Sequence, residues 1–126
     1  HAGELDQQTK RSAHIVRKAF LIALFHLWER HHTPPPLKSL GAQQRGQLAS
    51  VLDHLRLAAN TAKHTPGSSA EKLFKLRPDL FPRLASGRKP SERFLVISPD
   101  VLNEFFEAVW STIEETRRPR STKGSA

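Results

Sequence analysis

Residues 48–69 read LASVLDHLRLAANTAKHTPGSS. Leu48, Val51, Leu52, Leu55, Ala59 and Ala62 recur at three- and four-residue intervals, which is the period of an amphipathic helix. HTPG (64–67) ends the run, because Pro66 cannot donate a backbone hydrogen bond and Gly67 favours a turn. The stretch predicts a long helix that starts near Ala42 or Gln43 and buries one stripe.

Upstream, a first helix is predicted from about Leu5 or Ser12 to Arg30. Ile15, Val16, Ala19, Phe20, Ile22, Ala23 and Leu27 cover almost every direction of its second half. That pattern marks a central core helix, and a dimer seam would show it too. HHTPPPL (31–37) stops this helix and reads as an extended connector.

Downstream, SSAE (68–71) has the S-x-x-E form of a capping box and predicts a short helix carrying Leu73, Phe74 and Leu76 inward. Leu80 and Phe81 of PDLFPRL are expected to plug the core, and SGRKPSER reads as an exposed basic loop. FLVI (94–97) reads as a short extended segment or half of a small hairpin. Ser98, Pro99 and Asp100 suit the cap and first turn of a last helix. Val101, Leu102, Phe105, Phe106, Val109, Trp110 and Ile113 supply its apolar face.

The fold class is therefore all-α, a helical bundle of three long helices and one short helix with a short extended segment before the last helix. Residues 1–116 form a single helical domain and 117–126 a basic disordered tail.

The chain of 126 residues has no Cys, hence no disulfide framework or thiol nucleophile. It has no Met, which suggests a fragment or a processed chain. The longest apolar run, Ala19 to Phe25, falls well short of the roughly 20 residues that span a membrane. The first twelve residues do not read as a secretory signal. A soluble, cytoplasmic protein with no membrane partner is expected.

The formal net charge is +8. Residues 71–93 hold seven Lys/Arg against three acids, and 117–126 hold four against none. Such a bias favours a polyanionic partner, RNA or another nucleic acid, through counterion release. Lys63, Lys72, Lys75, Arg77, Arg88 and Lys89 are the candidate phosphate contacts, with Arg83 and Arg93 in the same basic segment. A solvated loop would have the same composition.

One polar ridge runs beside the buried stripe. With Leu48 at zero and about 100° per residue, Arg56, Asn60 and His64 fall near 80°, 120° and 160°, and Asp53 near 140°. Side chains three or four apart on a helix touch, so Asp53 can orient Arg56 and Asn60 can bridge Arg56 to His64. Arginine suits phosphate, and a histidine in a last helical turn can exchange protons near neutral pH. Together they could support metal-independent transesterification of RNA. Any amphipathic helix also shows polar residues at these places.

The segment NTAKHTPGSSAEKLFKLRPDLF, with FLVISPDVLNEFFEAVW after it, resembles HEPN-type domains over residues 40–115. Those are small helical bundles associated with RNA cleavage and nucleotide binding. Asn60 matches the polar position of the family motif and His64 its histidine. Ala59 stands where the family has Arg, and Arg56 lies one turn earlier. The ridge offers Arg56 as the phosphate clamp, the resemblance adds Asn60 as the positioner and His64 as the proton-transfer group, and it implies a homodimer that pairs two motifs across a cleft.

Nothing points to a cofactor or a metal. The seven histidines form no HExxH motif or i, i+4 pair, and His26 is expected to be a hydrogen-bonded core residue. GxxxxGK[ST], GxGxxG and GxSxG are absent, so no ATPase, dinucleotide enzyme or α/β hydrolase is indicated. Three readings stand: a HEPN-like RNA-binding domain with endoribonuclease activity, an inactive binding version of it, and a non-catalytic helical dimerisation or protein-interaction module of a larger protein.

Overall fold

The computed structural model describes residues 2–30, 41–64 and 67–117, with side chains described between Asp6 and Glu114 of those spans. Four α-helices are formed: α1 (Ala2–Arg30), α2 (Ala42–Ala62), α3 (Ser69–Leu76) and α4 (Pro99–Arg117). Two single 3-10 turns, Pro78–Leu80 and Glu92–Phe94, lie between α3 and α4. No strand occurs among the described residues, and the all-α bundle is the fold. The HHTPPPL connector, Thr65, Pro66 and the tail beyond Arg117 lie outside the described residues, while Arg117 itself closes α4.

The central helix is α2, which packs against α1, α3 and α4. Its C-terminal half is buried almost all round. Leu55, Ala58 and Ala59 are fully inaccessible, and Leu57, Thr61 and Ala62 nearly so. This corrects the single-stripe reading, since Leu57 points away from Leu55 and Ala59. Three alanines in five residues let three helices approach closely. The buried Thr61 hydroxyl donates to the Leu57 carbonyl at 2.8 Å, and Thr112 donates to that of Ala108 at 3.1 Å, so neither carries an unpaired hydroxyl inward.

The first helix is not central. Leu21, Leu24 and Phe25 of α1 are buried, but Ile15, Val16, Phe20 and Leu27 are exposed. His26 is also on the surface, 3.3 Å from Glu29, and is not the core residue expected. Two neighbours cannot cover a helix that is apolar on every side.

Leu73 of α3 is buried as expected, whereas Leu76 is exposed. Ser68 precedes α3 without making a side-chain cap bond, so the capping-box signature locates the start and does not form the bond. At α4 the cap is real: Ser98 Oγ accepts from the Val101 amide at 3.2 Å. Leu80 and Phe81 do plug the core, and Phe81 meets Phe74 edge-on at 5.6 Å.

Of the FLVI run, Phe94 closes the second 3-10 turn, and Leu95 to Ile97 continue outside any helix and join no sheet. Leu95 and Ile97 are fully buried, so their backbone needs other partners. The Leu95 amide donates to Glu92 O at 3.0 Å and the Val96 amide to Leu80 O at 2.8 Å. The Ile97 amide donates to His14 Nε2 at 3.3 Å, and its carbonyl accepts from Arg17 Nε at 2.7 Å.

Arg77, just past α3, staples three elements. It reaches both Glu104 oxygens at 2.9 and 3.1 Å and both Asp79 oxygens at 3.0 and 3.1 Å, and its Nη1 lies 3.5 Å from His54 Nδ1. Only 16% of its side chain is exposed, so the charge-assisted bonds to Glu104 are partly shielded from water, while those to the more exposed Asp79 stand at the surface. Arg77→Ala is expected to lower stability by about 2 kcal/mol, the scale of hydrogen bonds to charged partners. Urea unfolding followed by circular dichroism measures it, and a loss within about 0.5 kcal/mol would show the staple to be a surface feature.

Candidate functional site

The Arg56–Asn60–His64 ridge does not survive as one unit. Arg56 is exposed on α2 and bonded to Asp53, through Nη2 at 2.7 Å and Nε at 3.1 Å. Asn60 is half-buried. His64 lies beyond the end of α2, with its backbone in the left-handed region at φ 57°. The helical wheel therefore does not apply to it, and its ring turns toward Glu92 instead, with Nε2 3.7 Å from Oε2. Glu92 in turn takes Lys18 Nζ at 2.6 Å. Arg56 and His64 thus have separate carboxylate partners. Ala59, just before Asn60, is fully buried in the hydrophobic core.

The other candidates scatter. Lys63 lies over the Phe25 ring, 5.5 Å from its centre. Lys72 and Lys75 are exposed on α3, and Arg88 is exposed in a turn. Lys89 pairs with Glu71 at 3.3 Å on the surface. Arg77 is the staple, and its guanidinium is already taken up by Asp79 and Glu104.

A different basic site forms elsewhere. A groove of about 830 Å³ runs between the first half of α1 and the chain around Arg83 and Arg93–Val96. Gln7, Lys10, Arg11, His14 and Arg17 line it from α1, and Arg83, Arg93, Phe94, Leu95 and Val96 line it from the segment before α4. Its lining holds five cations, Lys10, Arg11, Arg17, Arg83 and Arg93, and no carboxylate. Lys10 shares its charge with Asp6 at 3.1 Å on the open surface, a pair worth little. Arg11, Arg17, Arg83 and Arg93 make no ion pair among the described residues. A concave wall of one sign concentrates the field and draws in anions.

Elementary constraints place these groups. Arg17 and His14 face inward because the Ile97 amide and carbonyl need partners. One turn N-terminal, Lys10 and Arg11 continue the same face of α1. His14 stays below its ordinary value of 6.5, first through burial, then through Lys18 and Arg17, with Arg83 adding and Glu92 opposing. The signal was present in the sequence: Gln7, Lys10, Arg11, His14 and Arg17 share an arc of about 120° on a helical wheel. What lies across from them could not be read from local periodicity.

Among the described residues no cluster of three or more His, Asp or Glu could hold a metal ion. No helix is long and apolar enough to cross a membrane. Set beside known proteins, the chain matches no family model, no curated protein and no solved structure.

Two histidines give a pH signature. His14 and His54 are both held below 6.5, chiefly by burial, His54 also by Arg77. Below pH 6.5 the unfolded chain binds protons that these folded sites refuse, so stability is full above that pH and falls as pH drops. The urea midpoint is expected to be lower at pH 5.5 than at pH 7.5. The His14→Gln/His54→Gln double variant, which keeps an acceptor at each place, flattens the difference. An unchanged slope in that variant would assign it to other groups.

Proposed function

We propose that this protein is a helical nucleic-acid-binding module, and that RNA or another nucleic acid lies in the groove between α1 and the Arg83–Val96 region. The observation that carries the reading is the groove's five cations without a lining carboxylate. Phosphate contacts of that kind give affinity without sequence specificity and weaken steeply with salt. The net charge of +8 supports the same class of partner.

Binding of a labelled RNA across a salt series tests it. The Arg11→Ala/Arg83→Ala variant removes two exposed, unpaired cations and is expected to bind at least tenfold more weakly, with a salt slope shallower by about 2. Lys72→Ala/Lys75→Ala, on α3 and away from the groove, leaves binding near the parent value. Salt-independent binding, or equal losses in both variants, would remove the groove from the reading.

A second reading, HEPN-like metal-independent RNA cleavage, is favoured by one observation. The His64 ring is largely exposed, and a carboxylate lies 3.7 Å from its Nε2. That carboxylate could orient the imidazole for proton transfer. His64→Gly suits the left-handed backbone and so keeps the fold, which makes it the clean test. Cleavage of RNA in the presence of a chelator that disappears in His64→Gly supports catalysis. Cleavage that persists in His64→Gly, or is absent from the parent, leaves binding alone.

A further inference from the structure

We propose that the groove selects single-stranded over double-stranded nucleic acid, with the backbone held among its cations and a base stacked at Phe94. This rests on the groove being the nucleic-acid site and goes on to name the form of the ligand.

Three features carry it. The first is shape. The cations come from two separate parts of the chain, Lys10, Arg11 and Arg17 from α1 and Arg83 and Arg93 from the segment before α4, around a space of about 830 Å³. A pocket of that size is on the scale that encloses small ligands, so it admits a few nucleotides of one strand. The convex surface of a duplex, with phosphate ridges about 6 and 12 Å apart across its grooves, would rest on the rims. The α1 wall from Gln7 to Arg17 is about 15 Å long, which suits an extended backbone better than one isolated phosphate.

The second is an aromatic surface where the strand would pass. Phe94 packs against the core yet is only partly buried, lines the groove, and carries the Arg93 guanidinium 5.8 Å from its ring centre. Bases stack on phenyl rings and on guanidinium planes alike, but only bases not already stacked in a duplex are free to do so. The third is what the lining lacks. Its side chains include no Asn, Asp or Glu that would read base edges, and Gln7 is the single amide. Recognition therefore falls chiefly to charge and stacking, which tolerate any sequence, with guanine the base edge that the four lining arginines can also meet.

The test is fluorescence anisotropy with a 12-nucleotide oligo-U, the matching oligo-dT, and blunt 12-base-pair RNA and DNA duplexes at one salt concentration. Both single strands are expected to bind at least tenfold more tightly than either duplex. Oligo-U bound above oligo-dT assigns a contact to the ribose hydroxyl, and equal binding assigns the backbone and bases; both results support the proposal. Phe94→Leu, which keeps an apolar side chain against the core and removes the ring, is expected to lose about tenfold on single strands and nothing on duplexes. Phe94→Trp restores the single-strand affinity. Duplexes bound as tightly as single strands, or Phe94→Leu equal to the parent on oligo-U, overturn the proposal while leaving the groove a nucleic-acid site. No salt-sensitive binding to any of the four probes overturns the binding reading and this one with it.

Discussion

The structure turns on a buried extended segment that has no sheet. Leu95 and Ile97 insert fully into the helical core, and their peptide groups go in with them. Buried amides and carbonyls without partners cost about as much as the hydrophobic gain from one side chain, so the fold must supply them. It does so from distant places: the Leu80 carbonyl, the His14 ring and the Arg17 guanidinium. Two polar side chains of α1 are thereby fixed on the inner side of that helix. The basic groove follows from this arrangement, because the residues one and two turns earlier on the same face are Lys10, Arg11 and Gln7.

That constraint also divides α1 into three faces. Leu21, Leu24 and Phe25 meet the core, the N-terminal cations border the groove, and Ile15, Val16, Phe20 and Leu27 meet solvent. On α4, Phe106 and Trp110 are exposed as well and stack nearly parallel, 6.3 Å apart. The charged and apolar surfaces of α1 lie on different sides of one rod. The groove can therefore stay open whatever happens at the apolar face.

Most of the helical architecture was legible because helices are local. Spacing located α2, α3 and α4, and the Ser98–Pro99 start of α4 is the bond its residues promise. Reading failed where a feature depends on what lies across from it. A one-stripe view of α2 missed Leu57, since the burial of that residue comes from a third neighbouring helix. His64 was placed by extending a helix that ends at Ala62, two residues too soon. The groove borders a bond between residues 80 positions apart, Arg17 and Ile97, and no local period encodes such a pairing. Basic composition does not say which lysines and arginines the fold leaves without an ion pair. Arg77 and Lys89 are spent on carboxylates within the fold, whereas Arg11 and Arg83 are not.

The chemistry of the groove favours holding a phosphate over cleaving beside it. Its histidine accepts the Ile97 amide proton at Nε2, which places the ring's own proton on Nδ1. In that tautomer the free edge of His14 is a donor and cannot take a proton from a ribose hydroxyl. Protonating Nε2 would break the Ile97 bond and add a cation beside Lys18, Arg17 and Arg83, and burial opposes it further. His14 is thus kept neutral by the same contacts that hold the extended segment in place. A general base needs the opposite arrangement, an unoccupied lone pair facing the substrate. Within the groove the fold has used that lone pair for its own backbone, which leaves the site with donors and positive charge, the equipment of a phosphate binder.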